Sequence, residues 1–339
     1  MSVSALPANM KAMVLEKPGT PLQLKTLLIP VPLAKQVLIK VIACGICRTD
    51  LHIMDGELSD PMLPLIPGHE IIGEVVATGE GVSLLKVGDI VGVPWLAYTC
   101  GKCKYCVQQK ENLCEYALFT GYTMNGGYAE YTVAFEAYCN IMPSMYADPS
   151  GAPLLCAGLI GFRAWRMIDE AAEQIAIYGF GAAAHILTQI AQFHYKSIFA
   201  FTRPGDAASQ QFALDMGAIW AGSSLDAPPV KMDAAIIFAP DGSLVPIALS
   251  HLDKGGTLVC GGIHMSNIPS FPYDLLWEER VLRSVANLTR DDGRAFFKTA
   301  TKVPVRTTIQ RFTLSQANEG LAALRSGRIR GAAVLVMSS

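Results

Sequence analysis

Gln174-Ile-Ala-Ile-Tyr178 is a short apolar run that meets Gly179-Phe-Gly181 at once, and Ala182–Phe193 follows with helical composition. Within that stretch Ile186, Leu187 and Ile190 fall on one helical face. Two glycines between a strand and a helix permit a tight turn and a close backbone approach to phosphate at a helix N-terminus. Ala184 stands at the third small position of this pattern and places a methyl where helix meets strand. Downstream, Ser197-Ile-Phe-Ala-Phe-Thr202 reads as a second apolar strand and Ala207–Met216 as a second helix closed by Gly217. Ala234-Ala-Ile-Ile-Phe238 and Gly256-Thr-Leu-Val-Cys260 continue the alternation, and a helical pattern over Gly158–Glu170 precedes it. Strands alternating with helices imply an α/β domain with a doubly wound parallel sheet. We place it at residues 153–289.

The flanks read differently. Residues 11–150 carry short β-branched runs between turn residues, as in Val37–Ile42, Ile71–Ala77, Asp89–Val93 and Tyr128–Val133. They predict a small barrel or curled sheet with long loops. From about residue 290 the alternation stops. Asp291–Thr301, Val305–Phe312, Ser315–Arg325 and Ala332–Met337 mix helix and strand patterns. This tail is assigned back to the first domain, giving 1–152 with 290–339.

At 339 residues, and about 150 per domain, two domains are expected. With 51% apolar and 17% charged residues the chain is neither disordered nor collagen-like. Lys+Arg 27 against Asp+Glu 29 gives a net charge of −2, which argues against nucleic acid as the main partner. No apolar stretch approaches the ~18 residues of a membrane span. Residues 1–9 lack a secretory signal's basic start and apolar run, and read as a frayed leader. A cytoplasmic location with reduced cysteines is therefore expected.

Four of the nine cysteines lie within one loop, Cys100-Gly-Lys-Cys103-Lys-Tyr-Cys106-Val-Gln-Gln-Lys-Glu-Asn-Leu-Cys114. Two-residue gaps let backbone wrap a tetrahedral ion, and four thiolates leave no open position, so this zinc would be structural. Chance surface thiols or a disulfide are the alternatives. Lys102, Lys104 and Lys110 partly offset the site's negative charge, or are plain solvated surface. A second set is dispersed, in Cys44-Gly-Ile-Cys47-Arg-Thr-Asp50-Leu-His52 and Gly68-His69-Glu70. Taken alone, Cys44-x-x-Cys47 reads as a redox dithiol, two core thiols or part of a second zinc site.

Several segments, in order, carry a family resemblance: Cys47-Arg-Thr-Asp-Leu-His52, Pro67-Gly-His-Glu70 with Gly73-x-Val75, Val91-Gly-Val-Pro-Trp-Leu96, the four-cysteine loop, Pro153-Leu-Leu-Cys-Ala-Gly158 and Gly179-x-Gly181. From about residue 11 to its end the chain resembles the zinc-containing medium-chain alcohol dehydrogenases, in a bacterial, propanol-preferring-like branch. That resemblance implies a GroES-like β-barrel catalytic domain joined to a Rossmann domain. It implies a catalytic zinc on Cys47, His69 and Cys156, with Asp50 orienting His69 and Glu70 close to the ion. It places Thr49 on the substrate oxygen and His52 as the outer base of a proton relay. It pairs Arg48 with the cofactor pyrophosphate, and lines the substrate pocket with Thr49 and Trp95. Cys44, Cys139 and Cys260 default to small buried hydrophobes. Where many relatives carry an arginine toward the cofactor phosphates, this chain has Ala332.

The implied reaction moves a hydride between a small alcohol, or its aldehyde or ketone, and a nicotinamide cofactor. Two zinc ions per chain and a homotetramer are expected. The alternatives are an NADPH-dependent reductase of bulkier aldehydes and, more remotely, a zinc-loop binding module without catalysis. Cofactor choice is read at the second strand's end, where an acid would accept the ribose hydroxyls and repel a 2′-phosphate. Here Thr202 ends the strand and Arg203-Pro204-Gly205 follows, so both side chains are expected to favour NADP, with NAD as the alternative. Asp206 reads as a helix cap.

Overall fold

In the computed structural model, which describes residues 6–337, the chain divides into two compact units. One runs up to Cys156 and resumes at Thr307; the other is Ala157–Arg306.

The second unit carries a parallel sheet among its described residues. Its spatial order is Trp220–Ser223, Ser197–Thr202, Gln174–Tyr178, Met232–Ile237, Leu252–Cys260, Val281–Ser284. Chain order therefore runs outward from Gln174–Tyr178 in one direction and then restarts on its other side. This is the switch point beside which ligands bind in open α/β sheets. The inner strands Ser197–Thr202, Gln174–Tyr178 and Met232–Ile237 are buried on both faces because their alternate side chains feed two separate cores. Ile175 and Ile177 pack with Leu187 and Ala191 of the helix Ala182–Phe193. Ala176 and Tyr178 pack with Leu244 and Leu249 of the helix Leu244–His251. Each such isoleucine, fully buried, contributes ~1.5–3 kcal/mol.

The helix Arg290–Ala300 also lies in this unit, whereas the sequence pattern assigned it to the first domain. Its packing supplies the reason. Asp292 accepts hydrogen bonds from Thr289 in a capping box and from Arg163 and Arg166, while Phe296 packs edge-on against Phe162. The helix expected over Gly158–Glu170 spans Ala157–Trp165 and tightens into i→i+3 turns through Ile168.

In the first unit, the strand Gln36–Ile46 is central. It pairs antiparallel with Ile71–Thr78, Tyr131–Phe135 and Ala332–Val336. Ile90–Val93, Asn140–Ile141 and Ile309–Thr313 complete a seven-stranded sheet among the described residues. The last strand lays Leu335 opposite Cys44 and Val334 opposite Gly45, so the end of the described chain buttresses the segment leading to Cys47. The strand expected from Tyr128 begins at Tyr131 instead. Gly127 and Tyr128 donate their backbone N–H groups to Gly68 and Pro67 rather than to the sheet. The first strand starts at Asn9, and residues 1–5 of the expected leader lie outside the described residues. No helix among the described residues is long and apolar enough to cross a membrane.

Candidate metal and active site

Cys47 sits where the strand Gln36–Ile46 turns into the helix Arg48–Asp55. It is the helix N-cap, in extended conformation, and its sulfur accepts the Thr49 N–H at 3.3 Å. Asp50 completes the cap by accepting the Cys47 N–H at 2.9 Å. His69 and Glu70 come from the turn before the strand Ile71–Thr78. That turn needs Gly68, whose φ is +94° and whose added Cβ would lie 2.3 Å from the Tyr128 ring. Gly45 clears space for Glu70, since a Cβ there would fall 1.8 Å from Glu70 Oε2. Cys156 follows the 3₁₀ segment Pro149–Leu155.

These segments bring ligand atoms of Cys47, His69, Glu70 and Cys156 within 4.8 Å of one another. The Cys47 sulfur is 3.2 Å from His69 Nε2. The other ring nitrogen, His69 Nδ1, faces Asp50 Oδ1 at 3.4 Å, a long and poorly aligned approach. Both residues are fully buried. The negative charges that the thiols and carboxyls of this pocket can carry repel one another. The Cys156 thiol hydrogen-bonded to Cys47 holds Cys47 well below the usual thiol range, and the same bond holds Cys156 well above it. Burial pushes the Glu70 and Asp50 carboxyls up. Burial opposes a charge on His69, but neighbouring Cys47 and Asp50 outweigh it and raise the imidazole well above its ordinary value. Two thiols, an imidazole and a carboxylate crowded this closely suit a divalent ion of zinc's softness, which relieves the repulsion among them.

Trp95 is buried beside this cluster. Its ring meets His69 edge-on at 4.9 Å and stacks on Phe119 at 5.3 Å and Tyr122 at 5.5 Å. Thr49 and His52 lie partly exposed on the helix Arg48–Asp55, and Arg48 is exposed. His52 Nδ1 is paired with Glu57, a partner that no motif signalled. Glu57 lies beyond Gly56, which caps the helix in left-handed conformation and turns the chain back.

In the cysteine loop, Cys100 Sγ is 4.0 Å from Cys106 Sγ and 3.6 Å from Cys114 Sγ. Ligands about 2.3 Å from a tetrahedral zinc stand roughly 3.8 Å apart, so the four thiols fit one ion. Cys103 completes the set. Backbone N–H groups of Lys102 and Cys103 lower the Cys100 thiol to about 6, favouring its thiolate. Lys102, Lys104 and Lys110 are exposed, with Lys104 over the Tyr105 ring. Cys44 and Cys260 are buried, and Cys139 is half-buried.

In the second unit Gly179 has φ +90°, and a Cβ there would press on Ala239. Gly181 caps the following helix with open space around its Cα, and Ala184 is buried in the core. Thr202 is buried. Its hydroxyl donates toward the Arg203 and Gly222 carbonyls and accepts from Gln210, which leaves Arg203 as the exposed group at the strand end. Asp206 caps the helix Ala207–Asp215 through Ser209. Ala332 is buried in the C-terminal strand.

A family model for the alcohol dehydrogenase GroES-like domain matches residues 33–144. The chain is 43% identical, over 98% of its length and 99% of the relative's, to a probable alcohol dehydrogenase of Mycobacterium tuberculosis. It is 34% identical to an alcohol dehydrogenase of Geobacillus stearothermophilus over 96% of this chain and 98% of that one. Its fold matches a solved acetophenone reductase from Geotrichum candidum in complex with NAD, with a TM-score of 0.87, 26% identity and 98% of each chain covered. Near full-length identity at this level, on a chain whose strand-to-helix cysteine, turn histidine and four-thiol loop are assembled as described, places it: the chain belongs to the zinc-type, medium-chain alcohol dehydrogenase family.

Proposed function

We propose that the chain interconverts small primary or secondary alcohols with their aldehydes or ketones, with zinc on Cys47, His69 and Cys156 and a nicotinamide cofactor. The observation that carries this is the convergence of those side chains, with Glu70, within 4.8 Å. When bound, zinc supplies polarisation of an alcohol or carbonyl oxygen and the nicotinamide supplies the hydride partner. The chain's own residues do the rest. Cys47, His69 and Cys156 leave one position open, and Asp50 stands behind His69. Glu70 adds a fourth donor atom, an oxygen, within reach of the same point. Trp95, edge-on to His69, limits substrate size, and each extra methylene then costs only ~1–3 kcal/mol, so the preference is graded. Cys100, Cys103, Cys106 and Cys114 hold a second, closed zinc. Absorbance at 340 nm with a panel of alcohols and carbonyls and both cofactors tests the reading. No turnover with any of them by zinc-loaded protein would overturn it.

Thr49 is assigned to take the substrate hydroxyl proton, and His52, paired with Glu57, to pass it to solvent. Arg48 is assigned to the cofactor pyrophosphate, and Gly179, Gly181 and Ala184 to the turn that receives it. Positioned proton transfer contributes ~10²–10⁴-fold. Thr49→Ala is therefore expected to lower kcat by about 100-fold or more, and His52→Ala by much less, because water replaces an outer base. Pre-steady-state rates with deuterated alcohol check this. An unchanged hydride-transfer rate in Thr49→Ala would remove the relay.

For the cofactor we propose NADP, held through Arg203. A hydrogen bond to a charged phosphate is worth ~1.5–3 kcal/mol, or roughly tenfold to a hundredfold in preference. Arg203→Ala is expected to lower kcat/KM for NADP by about that factor and leave NAD nearly unchanged. A wild-type preference for NAD that survives the substitution would overturn the assignment. The assembly we propose is a homotetramer in the cytoplasm. In its favour, Val281–Ser284 is an edge strand of the sheet among the described residues, with Val281 exposed, an unpaired edge of the kind that pairs with another chain. Light scattering on purified protein measures the assembly.

A further inference from the structure

Tyr128 belongs to none of the motifs above, yet it touches both supports of the His69 ligand. Its side chain is fully buried. Its hydroxyl donates to Asp50 Oδ2 at 3.2 Å, 78 residues away in sequence. The same oxygen accepts the Cys47 N–H at 2.9 Å. Two donors on Oδ2 fix the carboxylate plane, and with it the direction in which Oδ1 faces His69 Nδ1 at 3.4 Å. The backbone is clamped as well. Gly126, Gly127 and Tyr128 donate their N–H groups in turn to the carbonyls of Ile66, Gly68 and Pro67, the residues just before His69. The Tyr128 ring fills the space beside Gly68 that a side chain would otherwise take.

We propose that Tyr128 is a positioning residue of the metal site, holding the Asp50 carboxylate so that it orients His69 toward the ion. The inference rests on the zinc reading of Cys47, His69 and Cys156 given above. The ring alone is a packing element, but the hydroxyl has a different task. The phenol donates to the carboxylate whose other oxygen faces His69 Nδ1. Outer partners of this kind change metal affinity or activity by ~10–100-fold when lost.

Tyr128→Phe keeps the ring and deletes the donor. It is expected to bind the open-site ion about tenfold more weakly in competition with a chromophoric chelator, while the four-cysteine site retains its zinc as an internal reference. Cobalt substituted at the open site is expected to show shifted visible bands, because the band positions report ligand orientation. On activity, kcat falls and KM for the alcohol stays within about twofold. In an Asp50→Ala background the same Tyr128 substitution is expected to change neither affinity nor spectrum, since the acceptor through which it acts is gone. Wild-type protein that binds only one ion per chain would overturn the zinc reading itself. Wild type that binds two, with Tyr128→Phe matching it in affinity and cobalt spectrum, would overturn the positioning role and leave the zinc reading standing. A loss that is equal in both backgrounds would also overturn it, because the effect would then be packing. If Tyr128→Phe proves poorly soluble, Tyr128→His, which can still donate, is expected to recover affinity relative to Tyr128→Leu; equal values for these two would count against the role.

Discussion

Cys156→Ser is expected to lose well over 100-fold in kcat while remaining folded. Even partners outside the ligand set cost ~10–100-fold in metal affinity or activity when removed, so losing a ligand costs more. Serine is close in size, and Cys156 ends the 3₁₀ segment Pro149–Leu155 without a place in a strand ladder. The surrounding Ala152, Leu154 and Leu155 keep their burial. The fold therefore has little reason to change, and the thermal transition is expected to stay within a few degrees. Elemental analysis is expected to find one zinc per chain in the variant and two in wild type. A variant that keeps turnover within tenfold of wild type would show that Cys156 is not a ligand of the working site.

Cys103→Ser is expected to act in the opposite way, on stability first. Structural zinc contributes ~10–16 kcal/mol in small zinc domains, so one ligand in four carries roughly 3 kcal/mol. For a unit of this size each kcal/mol moves Tm by ~2–4 °C, giving a fall of roughly 6–12 °C. The first part of the loop offers little else to hold it, although Glu111, Asn112 and Cys114 at its end are buried. Cys103, Cys106 and Cys100 are only partly buried, and the short helix Lys104–Val107 buries no residue. Activity per folded molecule is expected to change by less than a factor of a few at low temperature. Calorimetry with and without added zinc checks this. An unchanged Tm together with unchanged zinc content would remove the four-thiol site.

The alternation of strand, glycine turn and helix was legible for four of the six strands described in the second unit, Gln174–Tyr178, Ser197–Thr202, Met232–Ile237 and Leu252–Cys260. Those strands are built on short apolar runs, whereas Trp220–Ser223 and Val281–Ser284 at the two sheet edges carry no such run and only pairing with their neighbours makes them strands. The helix Arg290–Ala300 was not legible in the same way. Its placement depends on Asp292 finding Arg163 and Arg166, and Phe296 finding Phe162, more than a hundred residues earlier. Tyr128 was read as the start of a strand for a related reason. Apolar and β-branched composition marks what wants burial, but not whether the backbone bonds a sheet or a turn.

The two candidate metal sites divide along the same line. The four thiols of Cys100–Cys114 lie within one loop, and chain geometry alone confines them to a volume that a single ion can span. The sequence by itself determined that cluster, the glycine turn after Tyr178 and the capping acid Asp206. Only the tertiary structure decided the rest. Cys47, His69 and Cys156 meet because a strand, a glycine turn and a 3₁₀ segment end at one point, with Gly45 and Gly68 leaving room for Glu70 and Tyr128. Trp95 finds His69 and Tyr128 finds Asp50 through packing that no local pattern encodes. Local spacing is set by bond lengths and dihedral preferences, which the sequence states directly. Convergence of distant segments is set by which buried surfaces fit together, and that is settled only when the whole core closes.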